Sequence, residues 1–258
     1  MPAALLLLMV KMAIVAAIVI VASMLAERTR PAIGALIATL PISLGPTYVL
    51  LAMDHDAAFV SEAALKSVPG ACTTIGFIVV YSHAVMRWPV VPAALAGYGA
   101  WLAGAVIVHL VPWTIASATL CAVLTVVLAR RATVRFVDYR LPAGAQKRRW
   151  DGVLRVLGVV FLVGTVTGLS HVLGASGVGA LANFPIVMST MGLLMTLRFG
   201  PQAAAAVLSN AVYGMAGVTT ALMVLHLTMV PLGPPLSLLL GLALCVVWNA
   251  ALYARVRR

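Results

Sequence analysis

Long apolar stretches alternate with short polar segments along this chain. Most of the apolar stretches run for about 20 residues, the length that a helix needs to cross the hydrocarbon core of a bilayer. Polar side chains concentrate between them, which suits lipid, where a spanning segment must satisfy its own backbone hydrogen bonds. The pattern predicts an all-α, polytopic integral membrane protein with about nine transmembrane helices: Leu5–Ala26, Pro31–Met53, Ala64–Met86, Val90–Leu110, Trp113–Ala129, Gly152–Leu173, Ser176–Leu197, Gln202–Leu227 and Pro234–Tyr253.

Composition and charge add an orientation. Of the residues, 63% are hydrophobic and 9% are charged, and the net charge is +11. With nine helices the arginines gather on one side of the membrane, which the positive-inside rule makes the cytoplasmic side. We therefore predict a multi-pass protein of the cell inner (cytoplasmic) membrane, with the N-terminus outside and the C-terminus in the cytoplasm. The arginines that set this orientation are Arg28, Arg30, Arg87, Arg198, Arg255, Arg257, Arg258 and those between Arg130 and Arg155.

The basic run from Arg130 to Arg155 is the longest polar segment of the chain. The positive-inside rule is sufficient to explain it, so we expect the lipid bilayer, and no nucleic acid, to be its partner. Within the run, Arg148 and Arg149 are candidates for binding the headgroups of anionic lipids.

The two halves of the chain resemble each other. Each contains Gly-Ala-Leu followed shortly by Pro-Ile, at residues 34–42 and 179–186, and the same alignment brings His83 to His226. One extra helix between two four-helix units turns the second unit upside down, so we predict an inverted-topology 4+1+4 repeat. The predicted units are a first four-helix repeat (1–110), a linking transmembrane helix (111–131), a basic cytoplasmic linker (132–150) and a second, inverted four-helix repeat (151–258).

Proline and glycine interrupt the second and the seventh predicted helix. A proline inside a helix leaves a carbonyl group without its donor, which lipid tolerates only where protein or a polar cavity covers it. Matched interruptions in two repeats are typical of the substrate sites of transporters, although small residues also serve close helix packing. The candidate substrate-binding residues are Ser43, Gly45, Pro46, Thr47, Asn183, Pro185, Ser189 and Asn210.

Ionisable side chains lie near the ends of the predicted helices. His83, His226, Asp54 and Lys66 are candidates for gating or for proton-linked steps. The alternative for the histidines is an interfacial position with one solvated nitrogen. No aspartate or glutamate lies in the middle of a predicted helix, which disfavours the common proton-relay designs. The cysteines are widely spaced within predicted helices, which indicates buried small side chains and neither a disulfide nor a metal site: Cys72, Cys121 and Cys245.

Each half also resembles the small four-helix GlpM family of bacterial inner-membrane proteins. The matching residues are Gly179, Leu181, Phe184 and Pro185 in the second half and, less closely, Gly34, Leu36, Leu40 and Pro41 in the first. The resemblance implies that a small dimerising unit was duplicated and fused, and it makes a homodimer one expected form of the protein. It implies no particular activity.

These features predict a membrane transporter, a secondary carrier or exporter that moves a small solute by alternating access between inverted repeats. Helix N-terminal ends favour an anionic group on that solute. Two alternatives stay open: a lipid or polyprenyl-phosphate translocase, and a non-catalytic membrane assembly or scaffold subunit. The chain has no GxSxG, HExxH or Walker motif and no spaced Cys/His set, so we expect no enzyme activity and no cofactor or metal.

Overall fold

The computed structural model describes residues 44–137 and 168–256, together with residues 17, 161, 164 and 165. The described part is all-helical and contains no strand. Several predicted features lie outside it: nearly all of the first helix, most of the second and sixth, the basic linker after Val137, and the candidates Ser43, Arg148 and Arg149. Its helices are α1 (Leu44–Asp54), α2 (Ala57–Ala84), α3 (Val90–Leu110), α4 (Ile115–Thr133), α5 (Ser170–Leu181), α6 (Ile186–Phe199) and α7 (Pro201–Val256), and a short 3₁₀ helix (Val134–Phe136) follows α4.

Five helical segments in the described residues are long and apolar enough to cross a bilayer. This finding confirms the predicted class, an all-helical membrane protein, because soluble helices rarely sustain such hydropathy over a full span. The count of nine helices and the repeat stay predictions. The five segments are Ala57–Ala84, Val90–Leu110, Ile115–Phe136, Gly174–Phe199 and Pro201–Ala254.

The last of these segments is a hairpin. Its backbone reverses at Gly233, where φ is 76° and ψ is 166°, a conformation that side-chain-bearing residues rarely adopt. The two arms, residues 201–232 and 234–256, pack antiparallel: Trp248 Nε1 donates to the carbonyl of Tyr213 at 2.9 Å, and Gly217 packs against the Trp248 ring. The reversal falls between the predicted eighth and ninth helices.

Helix α2 is the centre of the bundle. Of its most apolar 18 residues, 72% are buried, compared with 17% for α3 and for α4. Small residues allow this position, because neighbouring helices approach α2 closely at glycines: Gly97 of α3 packs on Phe77, and Gly104 packs on Thr73. Large apolar side chains of α3 and α4 point outward instead, where the bilayer lies in a membrane.

The start of α2 differs from its predicted position. The helix begins at Ala57, seven residues before the predicted Ala64, because the Asp56 carboxylate caps it by accepting from the backbone N–H of Phe59 at 2.8 Å. Helix α4 begins similarly at a capping box, in which Thr114 and Ser117 bond each other's backbone N–H groups. Polar residues in the first turns of α2 lower the local hydropathy, so an apolar window misses the start of that helix.

The helix directions separate the charges. Helix α2 runs antiparallel to α3 and to the first arm of α7, and parallel to α4 and to α5–α6. One end of the bundle therefore carries the acids and the other the arginines, and we name them the acidic end and the basic end. The acidic end holds Asp54, Asp56 and Glu62, and the basic end holds Arg87, Arg130, Arg131, Arg135 and Arg198.

Candidate functional site: a polar seam at an interrupted helix

The predicted interruption of the seventh helix is present in the structure. Helix α5 ends at Leu181 and α6 begins at Ile186, and between them the backbone N–H groups of Asn183 and Phe184 donate to carbonyls three residues earlier, as in a tight turn. Pro185 has no backbone N–H and disfavours the helical conformation of the residue before it, which favours the end of the helix at this point. Pro185 is buried and occupies the cap position of α6.

Asn183 fills this interruption and joins it to α2. Its side chain is 5% exposed, and its Nδ2 donates to the carbonyl of Gly179 at 2.8 Å and to that of Ser67 at 3.2 Å. In return, Thr74 Oγ1 of α2 donates to the Asn183 carbonyl at 2.5 Å. The side-chain amide and the backbone carbonyl of Asn183 are therefore both hydrogen-bonded to α2.

The hydrogen bonds continue from α2 to α1. The buried hydroxyl of Tyr48 donates to Ser67 Oγ at 2.6 Å, and Ser67 Oγ donates to the Gly179 carbonyl at 3.3 Å. We call this connected set, which links α1, α2 and the interrupted helix, the polar seam. It consists of Tyr48, Ser67, Thr74, Gly179 and Asn183.

Two glycines bring the helices close enough for these bonds. A methyl group at Gly70 would lie 2.6 Å from the carbonyl oxygen of Gly179 and 2.8 Å from Asn183 Nδ2. A methyl group at Gly179 would lie 2.8 Å from the Lys66 Cβ. Contact at small residues is the usual way in which membrane helices pack, and here it sets the length of the seam hydrogen bonds.

An aromatic cluster covers the other side of the break. Phe184 stacks on Tyr98 of α3 with ring centroids 5.6 Å apart and meets the edge of Trp101 at 4.9 Å. The cluster continues along α2 through Phe77, which contacts Tyr98, to Tyr81. Trp101 is 6% exposed, and its indole N–H has no acceptor in the described part of the chain. Residues 182–185 are thus held between hydroxyls on one side and rings on the other.

The polar seam is electrically neutral. It offers hydroxyl groups, one amide and backbone carbonyls, and the described acids lie at the acidic end instead. Among the described residues, no group of three or more His, Cys, Asp or Glu side chains is arranged to hold a metal ion. The seam therefore offers groups suited to hydrogen-bonded recognition of a ligand.

The structure brings only part of the predicted substrate-binding set to the seam. Thr47 is buried on α1 beside Tyr48, and Ser189 is buried on α6, where its hydroxyl donates to the Ile186 carbonyl at 3.1 Å. Asn210 lies apart: it is exposed near the basic end and donates to the Val137 carbonyl at 3.3 Å. Gly45 and Pro46 lie on α1, at the start of the described chain.

The predicted gating residues lie at the two ends of the bundle. His83 is near the basic end, and His226 is toward the acidic end, where its Nδ1 lies 2.9 Å from Ser61 Oγ. Lys66 pairs with Glu62 at 2.9 Å, one turn away on α2. Asp54 is exposed at the end of α1. His83 therefore lies at the opposite end of the bundle from Asp54, His226 and the Lys66–Glu62 pair.

Four residues around the break were not among the predicted substrate-binding residues: Tyr48, Ser67, Thr74 and Phe184. Ser67, Gly70 and Thr74 are spaced at i, i+3 and i+7, so they form one polar and small stripe on α2. That spacing is a readable signal for the helix face that meets the break. Phe184 gave no such signal, because an apolar residue before a proline is common in a membrane helix.

Comparisons with protein-family models, with curated proteins and with solved structures find no match for this chain. The resemblance of each half to the GlpM family therefore stays an expectation that rests on the short Gly-Leu-Phe-Pro pattern.

Proposed function

We propose that this protein is a secondary carrier or exporter of a small solute and that the polar seam is its substrate site. The observation that supports the proposal is the helix interruption in the middle of the bundle, with Asn183 buried in it and bonded to central helix α2. Interrupted helices place backbone carbonyls and N–H groups at membrane depth, where transporters use them to hold substrates.

The hydrogen bonds of the seam are weak enough for the site to open. Three of its hydrogen bonds join α2 to the interrupted helix: Ser67 to Gly179, Asn183 to Ser67, and Thr74 to Asn183. Interhelical hydrogen bonds in membranes contribute about 0.6 kcal/mol each. Together they stabilise the closed seam by roughly 2 kcal/mol, which a solute that offers equivalent donors and acceptors can replace.

The chemistry of the seam restricts the solute. Hydroxyl and amide groups recognise donors and acceptors, so the solute is a small polar molecule. The N-terminal end of α6 favours an anionic group on it. The aromatic cluster beside Phe184 suits an apolar portion of the same molecule. We further propose that the basic end faces the cytoplasm of a bacterial-type inner membrane, because of the positive-inside rule, and that the protein is not an enzyme.

A ligand screen with matched variants tests this proposal. Thermal unfolding of the purified protein in detergent is measured against organic acids, amino acids, sugars and lipid phosphates. A ligand at 100 times its dissociation constant stabilises the folded protein by about 2.7 kcal/mol. The Asn183→Ala variant is expected to lose the shift, whereas Asn210→Ala, which removes an exposed amide outside the seam, is expected to keep it.

The other outcomes point to the alternatives. A small-solute shift that persists in Asn183→Ala contradicts the seam as the site. A shift with lipid phosphates alone favours the translocase, and Arg148→Gln with Arg149→Gln then abolishes it. No shift with any compound favours a scaffold subunit, whose partner would co-purify with it.

A further inference from the structure

A groove of about 380 Å³ opens at the basic end, between α2, α3 and α4. It lies apart from the polar seam, along the C-terminal turns of α2. Its walls are almost entirely apolar, and its polar side chains stand at one edge. The apolar walls are Val79, Val80, Ala84, Ala96 and Ala132, and the edge is formed by His83, Arg87 and Trp88.

His83 uses one ring nitrogen within its own helix. Its Nδ1 lies 2.9 Å from the Val79 carbonyl oxygen, which can only accept, so Nδ1 carries the hydrogen and donates. The ring meets the edge of Phe136 at a centroid distance of 5.1 Å, which fixes its orientation. The Nε2 side of the ring is therefore the side available to a molecule in the groove.

The surroundings of the groove are strongly basic. Arg87 is exposed at its edge, and Arg130, Arg131 and Arg135 are exposed at the neighbouring end of α4. No aspartate or glutamate lies at this end among the residues that the structure describes. Trp88 is 53% exposed beside Arg87, the position that aromatic residues take at a membrane interface.

We propose that this groove binds one anionic glycerophospholipid with a hydroxyl-bearing headgroup, such as phosphatidylglycerol, with an acyl chain along the apolar walls, the phosphate at Arg87 and a headgroup hydroxyl donating to Nε2 of His83. The apolar walls and the basic edge together favour this ligand over a soluble anion and over a zwitterionic lipid. A soluble anion would leave the apolar walls uncovered, and a zwitterionic lipid would bring its own cation to the arginine. Residues of α3 next to the groove face outward, with Val91 63% and Leu95 64% exposed, so a lipid can enter from the bilayer. The proposal does not depend on transport.

Native mass spectrometry tests it directly. The protein is released from micelles that contain equimolar palmitoyl-oleoyl phosphatidylglycerol and phosphatidylcholine, and the retained lipids are counted. We expect wild type to retain one phosphatidylglycerol in clear preference to phosphatidylcholine. Arg87→Gln should reduce that preference about fivefold, since one arginine near an anionic headgroup contributes about 1 kcal/mol. Arg87→Lys should keep most of it.

Two controls separate the groove from general surface charge. Arg130→Gln removes a charge at the same end, but Arg130 donates to the Tyr213 hydroxyl and does not line the groove, so the preference should be retained. Ala96→Phe fills the groove and should abolish retention, whereas Ala103→Phe, on the exposed side of α3, should not. Equal losses in Arg87→Gln and Arg130→Gln, or equal retention of the two lipids by wild type, would overturn the proposal. Displacement of the bound lipid by millimolar inorganic phosphate would also contradict it.

Discussion

The close approach of α2 to the interrupted helix predicts opposite effects for two similar substitutions. Both Gly70 and Gly76 lie inside α2, so alanine at either gains about 0.5–1 kcal/mol of helix stability. At Gly76 a methyl group meets no atom within 4 Å. At Gly70 it would lie 2.6 Å from the Gly179 carbonyl oxygen, and neither that backbone nor the amide of Asn183 at 2.8 Å can move without breaking seam hydrogen bonds.

The magnitude follows from the cost of overpacking. An extra methyl group in a close-packed interior costs about 1–3 kcal/mol. The helix gain is common to both variants, so Gly70→Ala should be less stable than Gly76→Ala by about that amount. Thermal unfolding in one detergent measures the difference, at roughly 2–4 °C for each kcal/mol in a protein of this size. Gly76→Ala should unfold at or slightly above the wild-type temperature.

One result would refute this reasoning. If Gly70→Ala unfolds at the temperature of Gly76→Ala or higher, α2 and α5 are not in contact at Gly70 and Gly179. The hydrogen bonds of Asn183 to α2 would then lose their geometric basis. A loss in both variants would indicate a general intolerance of α2 to substitution and would contradict the open space around Gly76.

Two further predictions concern other positions. Gly233→Ala should lower stability by about 1–3 kcal/mol through backbone strain alone, because φ is positive and no atom lies within 4 Å, and thermal unfolding measures it. Thr74→Val should cost about 0.6–1.7 kcal/mol, since it removes one donor to the break, and the same assay applies.

Much of the fold follows from the sequence because lipid imposes a simple rule on it. A spanning helix must be apolar over a fixed length, so hydropathy locates α3 within Val90–Leu110 and separates the two arms of α7 near Gly233. Helix starts are harder, because a polar cap such as Asp56 adds turns that hydropathy does not recognise. The central position of α2 also escapes a hydropathy profile, since it depends on which helix carries small residues facing its neighbours.

Part of the site was also predictable, because prolines and lone polar residues stand out in an apolar helix. Pro185 favours a helix break, and a lone Asn183 near it must find partners at membrane depth. The identity of those partners is tertiary information: Ser67 and Thr74 lie more than 100 residues away in sequence. Asn210 resembled Asn183 in its apolar surroundings along the chain, yet it is exposed near the basic end, because local sequence does not reveal which face of α7 packs inward.

In the proposed carrier, water and solute reach the polar seam from each side of the membrane in turn. With the three native cysteines replaced by alanine, Ser67→Cys and Ser189→Cys are placed singly in oriented membrane vesicles, with Ala204→Cys as a buried control outside the seam. A membrane-impermeant maleimide is then added to one side or the other. If the protein is a carrier, the Ser67→Cys and Ser189→Cys variants react from either side, whereas Ala204→Cys reacts from neither. If the Ser67→Cys and Ser189→Cys variants are as unreactive as Ala204→Cys from both sides, the carrier function is contradicted. The polar seam then only holds the helices together.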